Sequence, residues 1–87
     1  MNFAPDLAVK IVWRGDRTGE VLEKVNGYLT AGVALIWVVH PKKELVYVFR
    51  PNEPVLILHR KNGDTLLGYD VLPGFKLGLD TVFEIEA

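Results

Sequence analysis

The sequence predicts an α/β (α+β) fold, with one main helix on a mixed β-sheet of four to five strands. Three observations lead there. Apolar residues alternate from Leu7 to Trp13, recur at helical spacing from Val21 to Leu29, and run unbroken from Val33 to Val39. Alternation marks a pleated strand, and an i, i+1, i+4, i+7, i+8 pattern marks one face of an amphipathic helix. Strand, helix and strand in this order make a right-handed βαβ crossover the expected connection.

In the first strand Leu7, Val9, Ile11 and Trp13 share one face, and Ala8, Lys10 and Val12 share the other. Both faces are mostly apolar, so an inner strand is expected, with Lys10 as the exception. Gly15 and Asp16 make a turn, and Asp16 or Thr18 can cap the helix that follows. The helix places Val21, Leu22, Val25, Tyr28 and Leu29 on one face, with Glu20 and Lys24 as an i, i+4 pair. Gly32 supplies a left-handed stop. The run from Val33 to Val39 is too short for a typical helix and rich in β-branched residues, which predicts a central strand covered on both faces.

His40-Pro41-Lys42-Lys43 reads as a turn. Glu44 to Arg50 alternates again, with Leu45, Tyr47 and Phe49 together, as an antiparallel hairpin partner to the preceding strand. Pro51 to Pro54 breaks the chain, and Val55 to His59 is a further strand. Asn62-Gly63 is a tight-turn signal. From Thr65 to Phe83 glycines and Pro73 interrupt the apolar residues. This predicts a short strand, an irregular segment packed on the core and a helical turn near Asp80. A single helix covers one face of a sheet, so a partner is expected on the other face if it is apolar.

Composition bounds the function. Eighty-seven residues suffice for a single domain, 1–87, with a modest core. A mean hydropathy of +0.19 is high for so short a chain and points to apolar surface at an interface. Ten basic and eleven acidic residues leave a net charge of -1, without the cationic excess that phosphate neutralisation calls for. Nucleic-acid binding is therefore expected to be weak. There is no cysteine, which excludes disulfides, thiolate catalysis and cysteine zinc sites. His40 and His59 stand 19 residues apart, with no second ligand at metal spacing. No apolar run approaches membrane-spanning length and the N-terminus lacks a secretory pattern, so a cytoplasmic location is the expectation.

Several segments together resemble a known family. They are Pro5-Asp6-Leu7-Ala8-Val9, Glu23-Lys24 with Tyr28, Ala31-Gly32-Val33, Trp37-Val38-Val39 with Pro41, and Asp70-Val71-Leu72-Pro73-Gly74-Phe75. The order is similar to the bacterial putative restriction endonucleases of the PD-(D/E)XK nuclease superfamily, from about Pro5 to Phe83. The resemblance implies the C-terminal half of a restriction-endonuclease-like fold, a Mg²⁺-dependent nuclease ancestry, and roughly a hundred further residues upstream in typical members. That upstream half carries the strand with the first metal-binding Asp. After P-D-L the family reads approximately x-V-E-V-x-S-P-S-D, and its Glu is a metal ligand. Here that position is Lys10, and only Asp16 of the S-P-S-D stretch is kept. His40 stands where the family commonly has Asp. Lys24 matches the helix lysine that serves the family in place of the usual strand lysine.

Phosphodiester hydrolysis of this kind needs carboxylates to hold Mg²⁺ and a lysine to orient water. A lysine at a ligand position sets a positive charge against the metal, costing roughly 4 kcal/mol per unit charge at about 4 Å and an effective dielectric near 20. The candidate site residues are therefore Lys24, Asp6 and Lys10. Asp6 reads either as a remnant ligand or as a turn cap after Pro5. Lys24 reads either as the retained catalytic lysine or as a solvated helix residue. Lys10 is expected to pair with a neighbouring acid such as Asp6 or Glu23, filling the metal's electrostatic role. The expectation is a non-catalytic, homodimeric assembly or binding module with no cofactor. The alternative is a metal-dependent endonuclease, using Mg²⁺, that completes its site with another chain.

Overall fold

The computed structural model describes residues 6–84. Its main sheet has four strands: β1 (Leu7–Ile11), β2 (Leu35–His40), β3 (Leu45–Phe49) and β4 (Leu56–His59), side by side in that order. β1 and β2 are parallel, joined through helix α1 (Thr18–Thr30), which is the expected βαβ connection. β3 is antiparallel to β2, and β4 to β3. A second, two-stranded sheet pairs β5 (Thr65–Leu67) with β6 (Lys76–Gly78), and helix α2 (Leu79–Glu84) follows.

Two apolar clusters sandwich the main sheet. On one face Ala8, Ile36 and Val38 pack against Val25 of α1, with Val12, Val21, Tyr28, Leu29, Tyr47 and Phe49 around them. On the other, Leu35, Trp37, Val46 and Val48 meet Leu66, Leu79 and Phe83. Alternation along β2 sends Ile36 and Val38 to α1 and Leu35 and Trp37 to the tail, which is why its apolar run is unbroken. The Trp37 and Phe75 rings stack at 5.6 Å between centroids.

Three expectations are corrected. First, the face opposite α1 is not left bare: β5, β6 and α2 cover it over β2 and β3, because the Gly- and Pro-interrupted tail folds back as one apolar layer, while Val9 and Ile11 of β1 on the same face stay exposed. Second, β1 is an edge strand among the described residues, not an inner one. Its outer residues Val9 and Ile11 are 50% and 39% exposed. Alternating apolar residues specify a strand but not its neighbours. Third, neither Asp16 nor Thr18 caps α1. The N-cap is Arg17, without a side-chain hydrogen bond. The other end of α1 forms as expected, with Gly32 at φ 95°. There Val33 N–H donates to the Tyr28 carbonyl at 3.0 Å and Gly32 N–H to that of Leu29 at 3.1 Å.

Just after β4, at the sheet's other edge, Arg60 ties three segments together. Its guanidinium donates to Glu44 at the start of β3 and to Asp80 of α2 at 3.0 Å, with Glu84 at 3.8 Å. The Asp80 bond and then the Glu44 bond hold its pKa above the ordinary arginine value.

Candidate functional site

The site lies where β1 turns toward α1. Lys10 falls between Ala8 and Val12 on the α1 side of the sheet, in one row with Val38, Tyr47 and Ile57 of the next three strands. β1 stops at Ile11 and the chain bends through Trp13 to Asp16. Asp16 fixes that bend in both directions. Its N–H donates to the Trp13 carbonyl at 3.0 Å, and its Oδ2 accepts the Trp13 N–H at 2.8 Å. Asp residues favour such turns because the short carboxylate reaches nearby backbone donors.

The same Oδ2 also accepts the Lys10 ammonium at 3.3 Å. Lys10 therefore has an acidic partner, as expected, but the partner is Asp16 rather than Asp6 or Glu23. The turn brings residue 16 back over the strand end, which sequence distance does not suggest. The Trp13 backbone hydrogen bond, and then Lys10, hold the Asp16 carboxyl below its ordinary value, and the more distant charge of Lys24 acts in the same direction.

The other candidates are placed as follows. Lys24 is exposed on α1 and close enough to act on Asp16 through its charge. It does not form the expected ion pair with Glu20. Asp6 is exposed at the opposite end of β1, where its carbonyl accepts the Leu35 N–H at 3.1 Å. Four residue steps along the strand separate it from Lys10, about 13 Å along the backbone. The structure thus brings together Lys10, Asp16 and the charge of Lys24, and leaves Asp6 apart.

His40 and His59 flank Leu45 in one cross-strand row. Two strand spacings separate their backbones, about 10 Å. His40 Nδ1 is buried with no hydrogen-bond partner. Beside it opens a cavity of about 320 Å³ between α1 and the sheet, floored by Val12, Val38, Tyr47 and Phe49.

A divalent cation such as Mg²⁺ asks for several oxygen ligands, usually with more than one carboxylate. Here one carboxylate is present, and an ammonium and a backbone N–H already share its oxygen. Among the described residues no three His, Cys, Asp or Glu gather as a metal site. This donor set does not fit a divalent cation.

Asp16 and His40 are what sequence reasoning passed over as site residues. The signal for Asp16 was its place three residues after Trp13 in a Gly-containing turn. For His40 it was a titratable residue at the end of an otherwise apolar strand.

Comparison with known proteins bears on the fold and the family. A crystal structure of a putative nuclease belonging to DUF820 from Anabaena variabilis superposes with a TM-score of 0.85 at 18% identity. The match covers 95% of this chain and 46% of that one, so this chain spans just under half the length of that protein. No curated protein sequence matches. The family model Uma2, described as putative restriction endonuclease, matches residues 2–81. The parallel β1–α1–β2 unit with its antiparallel extension is thus a restriction-endonuclease-like fold, and the chain belongs to the Uma2 family.

Proposed function

We propose that this chain is a non-catalytic, restriction-endonuclease-like module that serves assembly or binding. The observation that carries the reading is the Lys10 ammonium 3.3 Å from the Asp16 carboxylate. It supplies the positive charge that a metal would bring, in a form that cannot polarise a phosphodiester as a Lewis acid. The test is a nuclease assay on plasmid and single-stranded DNA with Mg²⁺ and Mn²⁺, beside Lys24→Ala and Lys10→Glu. Neither the wild-type chain nor Lys10→Glu is expected to cut. Cleavage by the wild type that Lys24→Ala abolishes would overturn the reading.

The module is proposed to act as a homodimer through β1. Support comes from the strand's open edge, whose unpaired backbone groups are a template for another strand, and from exposed Val9, Ile11 and Trp13 along it. Sedimentation at tens of micromolar is expected to give a dimer that Ile11→Lys converts to monomer. A wild-type monomer at that concentration would remove the proposal.

The same open edge lies beside Asp16 and Lys24 and supports a second reading, a metal-dependent endonuclease whose missing carboxylates come from another chain. DNA cleavage that rises with the square of protein concentration would favour it.

A further inference from the structure

We propose that the cavity between α1 and the sheet binds a small amphipathic carboxylate, with its apolar body inside and its anionic head at the mouth. This binding site stands independently of whether the chain cuts DNA.

The first argument is shape. A volume of about 320 Å³ lies within the range of small-molecule pockets, which are mostly apolar with a few converging polar groups. Here the floor of Val12, Val38, Tyr47 and Phe49 is joined by Val21 and Leu22 from α1. Such a lining favours an aromatic or branched aliphatic body over a sugar or nucleotide. Leu22 is 51% exposed, so on the helix side of the cavity it presents apolar surface that the other described residues leave open.

The second argument is the polar rim. Asp16, Thr18, His40 and Lys43 line the same cavity. The Asp16 charge is already met by Lys10. The Lys43 ammonium makes no ion pair with any described residue, so its charge is available at the rim. His40 Nδ1 is buried without a partner, and an unpartnered buried nitrogen is tolerated better as a bare acceptor than as an N–H. A neutral imidazole with Nδ1 as the acceptor carries its proton on Nε2, which can then donate to a ligand. An ammonium and an imidazole N–H together select an anion, and a planar carboxylate can accept from both.

The third argument is where charge is placed. β1 and β2 are parallel, so the β1–α1 loop and the β2–β3 turn leave the same end of the sheet. Those two connections carry the cations Arg14, Arg17, Lys42 and Lys43 and the acids Asp16 and Glu44, and Asp16 is paired with Lys10 and Glu44 with Arg60. Arg14, Arg17, Lys42 and Lys43 make no ion pair with any described residue, so the loops around the cavity mouth hold cations free to meet an anion.

The test uses 1-naphthoate as the probe, with 1-naphthylmethanol as its neutral counterpart, titrated into the ¹⁵N-labelled full chain. Saturable shifts are expected at Val12, Val38, His40 and Tyr47, with the alcohol binding about tenfold more weakly. Lys43→Glu lies on an exposed turn and is expected to weaken naphthoate at least about fivefold while leaving the alcohol unchanged. His40→Phe keeps a ring in place and is expected to weaken naphthoate selectively as well. The amide spectrum away from the cavity reports that each variant is folded. No saturable shift, shifts centred elsewhere, or equal affinities of acid and alcohol in wild type and variants would each overturn the proposal.

Discussion

At the scale of single residues, Asp16 has the most to report. Its Oδ2 accepts the Trp13 N–H and the Lys10 ammonium at once, and both favour the ionised carboxyl. Its pKa in the folded chain lies below the ordinary 3.8. A depressed folded-state pKa contributes stability that is fully present above the unfolded value and is lost as pH falls through the lower, folded one. A carbon-detected NMR titration of the Asp16 carboxyl is expected to give a midpoint below 3.8. In Lys10→Met the midpoint should rise yet stay under the ordinary value, because the larger cause, the Trp13 hydrogen bond, remains. A midpoint unmoved by Lys10→Met would mean that the ion pair does not persist in solution. Gly68 gives a steric counterpart. A Cβ there would stand 2.4 Å from the Leu72 carbonyl oxygen and 2.6 Å from the Leu72 Cβ. Backbone cannot yield as a flexible side chain can, so Gly68→Ala is expected to cost about 1–3 kcal/mol in urea unfolding. Lys10 was legible in the sequence as a charge inside an apolar strand. Its partner was not, because the turn that brings Asp16 back depends on backbone hydrogen bonds that carry no composition signal.

At the scale of elements, sequence patterns located strands and helices better than they located neighbours. The period of two in β1 and the helical spacing in α1 are local properties of the chain. Whether β1 is inner or edge depends on what pairs with it, and Val9 and Ile11 are apolar either way. The two ends of α1 show the same division. Gly32 was legible because few residues other than glycine adopt φ 95° without strain, and the backbone hydrogen bonds from Gly32 and Val33 need that conformation. Gly32→Ala is expected to destabilise the chain by roughly 1–2 kcal/mol, read as a shift in the unfolding midpoint. The N-terminal end was not legible, since two residues with capping side chains, Asp16 and Thr18, flank an N-cap that uses neither. Asp16 is committed to the Trp13 turn. Thr18→Ala should therefore change stability by less than about 0.5 kcal/mol, the range of an ordinary surface substitution. A loss of 1 kcal/mol or more (about the usual value of an N-cap) would show that Thr18 caps α1 in solution after all.

At the scale of the whole molecule, the main sheet is stable only as the middle of three layers. α1 lies on one face, and the tail from Leu66 to Phe83 lies on the other. The tail contributes three of the buried residues around Trp37, namely Leu66, Leu79 and Phe83. Arg60 anchors α2 at that layer's end through Asp80. A chain of this size has a stability on the order of 5–15 kcal/mol, so the loss of one large side chain from that layer is a major fraction of the total. Phe83→Ala is expected to cost about 3–5 kcal/mol. The measurement is urea unfolding followed by Trp37 emission, in a Trp13→Phe background because Trp13 is 62% exposed and would mask the signal. If the tail is an integral layer, the Trp37 signal and the far-ultraviolet signal of α1 should move together to lower urea in a single transition. If Trp37 becomes exposed first while α1 persists, the tail is a separately folding cover. The free face would then be the first surface on which to look for a partner.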